Sequence, residues 1–179
     1  TLSSPSGNME MTFQLNAEGT PQYALNYGDT KVILPSDLGY ELRGVLKAQK
    51  VVYNQDGTIS KIDGRPSEQF YKGFVVESID TSSFDETWEP VWGEEARIRN
   101  HYNELLVNLV QTSSDRKMSI RFRLYDAGLG FRYEFPYQPN LVYFVIKEEL
   151  TQFALAGDHT AWWIPGDYDT QEYDYTESR

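Results

Sequence analysis

The sequence predicts an all-β domain built as an antiparallel β-sandwich with few or no helices. Three observations carry that expectation: apolar and polar residues alternate with period two in several segments, short turn signals join those segments into hairpins, and aromatic residues make up 15% of the 179 residues. Alternation puts every second side chain on one face of a strand, and rings pack well on a pleated surface. The length suits one domain over residues 1–179, with a core large enough to stand without disulfides or a structural metal.

Met9 to Leu15 places Met9, Met11, Phe13 and Leu15 against Glu10, Thr12 and Gln14, the pattern of a half-buried strand. Glu18-Gly19-Thr20-Pro21 supplies a turn, Gln22 to Tyr27 resumes as a strand, and Gly28-Asp29 turns into Lys31 to Leu34, so an antiparallel meander is expected. From Gly39 to Asp80 the signals weaken, with loops at Asn54-Gln55-Asp56-Gly57 and Asp63-Gly64-Arg65-Pro66 and a strand at Phe74 to Ile79. The charges from Glu94 to Asn103 suit a helix or a loop; a loop followed by a long strand over Asn100 to Val110 fits better. Met118 to Tyr125 is the clearest strand, with Met118, Ile120, Phe122 and Leu124 on one face and Arg121 and Arg123 on the other. Asp126-Ala127-Gly128 turns it into Gly130 to Phe135, a hairpin in which charged residues face charged residues; Pro136 and Pro139 end the pairing. Leu141 to Ile146 is nearly continuous in apolar residues, which predicts a strand covered on both faces.

Net charge is −11, so the surface repels a phosphate backbone and anionic headgroups alike, and no basic cluster with interleaved rings offers a stacking platform. Nucleic acid is excluded as a partner. Cysteine is absent, which removes thiol nucleophiles, zinc-thiolate sites and disulfides. No apolar run approaches about 18 residues, so membrane insertion through a helix is not expected.

His101 and His159 lie far apart in sequence and neither sits at a metal-ligand spacing. No Gly-x-Ser-x-Gly elbow or phosphate loop occurs, which leaves acyl and phosphoryl transfer without apparatus. Carboxylates are abundant, and paired acids perform glycoside hydrolysis when held at a defined separation. The richest cluster is Asp167, Asp169, Glu172 and Asp174. Its oxygens suit calcium, although the spacing departs from an EF-hand loop; from charge alone a solvated acidic loop is the better reading.

That cluster lies in Trp163-Ile164-Pro165-Gly166-Asp167-Tyr168-Asp169-Thr170-Gln171-Glu172-Tyr173-Asp174-Tyr175, which closely resembles glycoside hydrolase family 97. The likeness extends to Phe84-Asp85-Glu86-Thr87-Trp88-Glu89-Pro90-Val91-Trp92-Gly93-Glu94-Glu95, to Arg99-Asn100-His101-Tyr102-Asn103-Glu104-Leu105 and to Asp126-Ala127-Gly128-Leu129-Gly130-Phe131-Arg132-Tyr133-Glu134-Phe135-Pro136. It covers essentially the whole chain and is weakest between about Glu41 and Phe70.

The resemblance implies the amino-terminal β-supersandwich of the family, galactose-mutarotase-like in fold, which precedes a catalytic (β/α)8 barrel that this chain does not contain. Arg179 is then expected to lie inside the natural domain rather than at its end. The family hydrolyses α-glycosides with carboxylates carried by the barrel and a calcium ion near the sugar. The resemblance assigns one calcium ligand to Glu172, while Asp167, Asp169 and Asp174 are expected to be loop structure. The implied partners are the catalytic barrel and an α-linked oligosaccharide in the complete enzyme, with calcium bound only there. A periplasmic or secreted mature form is expected. Two other roles remain open: an independent carbohydrate-binding module with Trp162, Trp163 and nearby tyrosines as its platform, and a purely structural docking domain with Trp88 and Trp92 against the barrel.

Overall fold

The computed structural model describes residues 1–44, 52–53, 56, 59–60, 67–166 and 169–178, and every regular element among them is a strand. The first sheet has four antiparallel strands in the order β1 (Leu2–Ser3), β2 (Met9–Leu15), β3 (Pro21–Tyr27), β4 (Thr30–Asp37). After β5 (Tyr40–Arg43), the hairpin β6 (Val52–Tyr53) and β7 (Ile59–Ser60), and β8 (Ser67–Phe70), the chain enters a second four-stranded sheet. This sheet is a meander of β9 (Phe74–Trp88), β10 (Ile98–Gln111), β11 (Arg116–Tyr125) and β12 (Gly128–Glu134). A third sheet joins β13 (Ile146–Glu149), β5 and β8, and a terminal ribbon pairs β14 (Ala161–Trp163) with β15 (Thr176–Ser178).

The two large sheets meet through the alternation seen in the sequence. Met118, Ile120, Phe122 and Leu124 of β11 are all fully buried, beside Leu105, Val107 and Leu109 of β10 and against Met11, Tyr23 and Leu25 of the first sheet. Phe122 sits at the centre, 6.0 Å from the Phe13 ring and 5.7 Å from Phe131. Where the core needs a polar atom, it is satisfied: Tyr23 donates its hydroxyl to the Gln152 carbonyl at 3.0 Å. The corner between β4 and β5 is made at Gly39, whose φ of 139° and approach to Tyr71 leave no room for a side chain; a Cβ there would lie 2.6 Å from the Tyr71 Cα.

On the other face of β11, the register sets Arg121 directly opposite Arg132, a like-charge pair that would weaken the hairpin by itself. Glu134 resolves it, accepting bonds from Arg121 Nε at 2.6 Å and Arg132 Nε at 2.8 Å. Glu104 of β10 completes the row, accepting from Arg121 Nη1 and, at 2.8 Å, from Arg123 Nε. The Arg123 guanidinium also lies 4.4 Å from the centre of the Tyr102 ring, a cation–π contact. The bonds from Arg121 hold Glu134 down at about 2. Burial pushes Glu104 upward, but its bonds from Arg123 and Arg121 outweigh that and leave it below the ordinary value.

Three expectations need correction or extension. Leu141 to Ile146 is not a strand covered on both faces: regular pairing begins only at Ile146, and Val142, Tyr143 and Val145 are exposed while Leu141 alone is sealed. Leu141 joins the core and Phe144 packs against it, while Val142, Tyr143 and Val145 face outward, so the run is covered at two positions rather than on both faces. The strand expected at Phe74 to Ile79 continues to Trp88. Beyond Phe74 every residue of this edge strand is exposed, so no burial imposes alternation on its sequence. β4 passes Leu34 and runs through Pro35, where its pairing with β3 is irregular, as a proline without an amide hydrogen requires. The loop predicted at Asp63-Gly64-Arg65-Pro66 and most of Asn54-Gln55-Asp56-Gly57 lie outside the described residues.

Removing the central ring by Phe122→Ala is expected to lower unfolding stability by about 3–5 kcal/mol in urea titrations followed by far-UV circular dichroism; a loss under about 1 kcal/mol would contradict this core. Glu134→Gln is expected to reduce stability at pH 7. Because the folded-state value is depressed, the stabilisation is present above the ordinary Glu range and lost as pH falls through about 2, so wild type and variant should converge there. A gap that persists unchanged down to that pH would refute the ionic origin.

Candidate functional site

The acidic loop singled out by the sequence hangs from the terminal ribbon. Trp163 pairs with Thr176 and Trp162 with Glu177, and Trp163 Nε1 donates to Ser178 Oγ at 3.1 Å. The ribbon brings residues 164 and 175 close together, so the acids between them occupy a closed excursion rather than a free tail. Within it Thr170 Oγ1 accepts the amide hydrogen of Glu172 at 3.0 Å, a local turn that fixes the backbone next to that carboxylate.

Glu172 is exposed, and its carboxylate meets no hydrogen-bonding or ionic partner among the described residues. Asp169 and Asp174 are also exposed on this loop, and Asp167 lies outside the described residues. No group of three or more His, Asp or Glu that could hold a metal occurs among the described residues. As a hard oxygen donor Glu172 suits calcium, yet one carboxylate falls far short of the roughly 6 to 8 oxygens the ion takes.

The two histidines have different settings. His101 lies on β10 with Nε2 4.0 Å from Asp85 Oδ2, beside the two-pronged bond of Arg99 to the same carboxylate at 2.8 and 2.7 Å. His159 is exposed in the segment before β14. Trp162 and Trp163 are both exposed, but adjacent strand residues point to opposite faces, so their rings cannot share one platform. Trp88 and Trp92 stand exposed at the far end of the β9–β10 hairpin.

A groove of about 570 Å³ lies between the β2–β3 turn and the β10–β11 turn, lined by Glu18, Glu68, Lys72, Gln111, Ser114 and Arg116. Its charges are closed on one another, Lys72 with Glu18 and Arg116 with Glu68, and the Gln111 amide is spent on the Gln69 and Lys72 carbonyls. No ring among the described residues lines it, so they give it no flat apolar face on which a sugar stacks. Among the described residues, no helix is long and apolar enough to cross a membrane.

The β11–β12 part of the ion-pair row was expected from the charges that face one another across that hairpin, whereas the part played by Glu104 of β10 escaped the sequence analysis. Its signal was present in Glu104, a carboxylate directly before the apolar Leu105-Leu106-Val107, which needs cationic partners once buried.

Comparison with known proteins adds to this geometry. The family model described as the glycosyl-hydrolase 97 amino-terminal domain matches residues 2–179. Structures of a glycoside hydrolase family 97 enzyme from Pseudoalteromonas, one a variant in complex with panose and another in complex with acarbose, share 29% identity with this chain at a TM-score of 0.78. Each match covers 99% of this chain and 24% of the enzyme. A β-arabinopyranosidase structure has 18% identity and a TM-score of 0.75, covering 98% of this chain and 26% of its own, and shares the fold. The chain thus spans about a quarter of the length of the solved enzymes it matches. An all-β sandwich whose every residue but the first falls within that family model has one assignment: the chain belongs to glycoside hydrolase family 97, as its amino-terminal domain.

Proposed function

We propose that this domain supports the catalytic barrel of an α-glucosidase-like family 97 enzyme and completes its active site by presenting Glu172 as one ligand of a calcium ion. The observation that carries this reading is the setting of that side chain: an exposed carboxylate with no hydrogen-bonding or ionic partner among the described residues, on a backbone held by Thr170 and by the ribbon. Calcium, when bound, supplies positive charge beside the sugar. The chain's own part is to hold one acid in place at its surface, where a second domain brings the remaining oxygens. The acids that break the glycosidic bond belong to that second domain. The panose and acarbose complexes of the Pseudoalteromonas enzyme support an oligosaccharide as the substrate of the whole protein.

In the full-length enzyme, Glu172→Gln is expected to weaken calcium binding by about tenfold or more in calorimetric titration and to raise the calcium needed for half-maximal activity. Unchanged affinity would overturn the assignment. The 179-residue chain alone is expected to bind calcium no tighter than millimolar and to cleave no α-glucoside, because it brings too few donors.

A second reading, an independent carbohydrate-binding module, draws on Trp162, whose ring is 63% exposed. Titrating the same chain with maltooligosaccharides separates the two: absence of saturable binding supports the domain as scaffold, and submillimolar affinity lost in Trp162→Ala supports the module.

A further inference from the structure

Leu141 to Ile146 gives only two of its apolar side chains to the core, Leu141 and Phe144. Between them Tyr143 stands 96% exposed, a large ring with almost nothing of this chain against it. It borders a pocket of about 270 Å³, which it lines together with Leu141, Phe144, Arg43, Glu68 and Arg116. The apolar side of the pocket is rigid: Leu141 is sealed, and the Phe144 ring lies 4.9 Å from that of Phe135. The charged side is locked as well, since Arg116 donates through Nη1 to Glu68 Oε2 and through Nε to the Asn140 carbonyl. Two polar groups are left over. Arg43 is exposed at the end of β5, and its guanidinium meets no hydrogen-bonding or ionic partner among the described residues. Glu68 Oε1 accepts no hydrogen bond from them either.

We propose that this pocket binds one ring of a neutral glycan, with Tyr143 stacked on the C–H face of the sugar and Arg43 and Glu68 bonded to its hydroxyls. A sugar presents an apolar face bordered by hydroxyls, and each hydroxyl both donates and accepts. The pocket offers the matching set: an aromatic ring, a guanidinium that only donates and a carboxylate oxygen that only accepts. An apolar peptide side chain would cover Arg43 and Glu68 without bonding them, which costs free energy. A carboxylate-bearing ligand would face the charge of Glu68. The volume lies just under the roughly 300 Å³ at which pockets for drug-sized molecules begin, so one ring enters and the rest of the glycan extends into water. Neither Trp162 nor Glu172 lines this pocket, so the site and the calcium reading fail separately.

Saturation-transfer NMR of the 179-residue chain with maltotriose, an α-linked probe chosen for the family, tests this. Binding is expected at about 1–10 mM, the strength of a single ring on an open surface. That strength and its dependence on Tyr143 separate it from a module built on Trp162. Tyr143→Ala is expected to weaken binding at least about tenfold and Arg43→Gln about threefold or more. Both side chains are exposed, so the far-UV circular dichroism and melting temperature of the two variants stay unchanged. Trp162→Ala and Glu172→Gln leave the binding in place. No saturable binding up to about 50 mM overturns the proposal, as does binding that survives Tyr143→Ala. Binding lost in Trp162→Ala instead assigns the sugar to the ribbon, and tighter binding of trigalacturonate than of maltotriose assigns the pocket to carboxylates; either result overturns it too. So do dimers of the chain that Tyr143→Ala abolishes, which assign the exposed ring to a second copy.

Discussion

One strand carries the domain. β11 sends Met118, Ile120, Phe122 and Leu124 into the space between the sheets, all at 0% exposure, and without them the first sheet has nothing to rest on. Each such side chain contributes about 1.5–3 kcal/mol of hydrophobic stabilisation. The opposite face of the same strand holds Arg121 and Arg123, which Glu104 and Glu134 tie to both neighbours. Burial on one side and ion pairs on the other act on one backbone, so the register that seals the core also aligns the charges. A slip of one residue would put arginines inside and phenylalanine in water.

Legibility in the sequence followed burial. Met9–Leu15 and the β11–β12 hairpin could be read because one face of each packs toward the core, and a covered face imprints period two on the residues. The distal half of β9 could not, since Asp80 to Glu86 is exposed throughout and even Phe84, stacked on Tyr102, is not sealed, so burial imposes no alternation there. Leu141 to Ile146 misled for the converse reason: an apolar run signals affinity for a cover, whereas the cover itself belongs to some other part of the molecule. The loop bearing Glu172 became interesting only through the family words around it, because an acid awaiting partners from elsewhere looks in isolation like any solvated acid.

The same separation organises the functional reading. A domain that supplies one donor to an ion site gains nothing from binding that ion alone, and a premature site would trap the metal before the neighbouring domain is in place. The closed excursion between β14 and β15 keeps Asp169, Glu172 and Asp174 exposed on a short tether instead.

All four tryptophans lie at the periphery: Trp88, Trp92, Trp162 and Trp163 keep 47–89% of their surface in water, while the interior is filled by phenylalanine, tyrosine and aliphatic chains. The indole emission of this domain is accordingly that of wet rings from the outset. Unfolding of the interior barely changes it, and contact with any covering surface shifts it to the blue, so the intrinsic fluorescence of the chain reports on its neighbours and says little about its own centre.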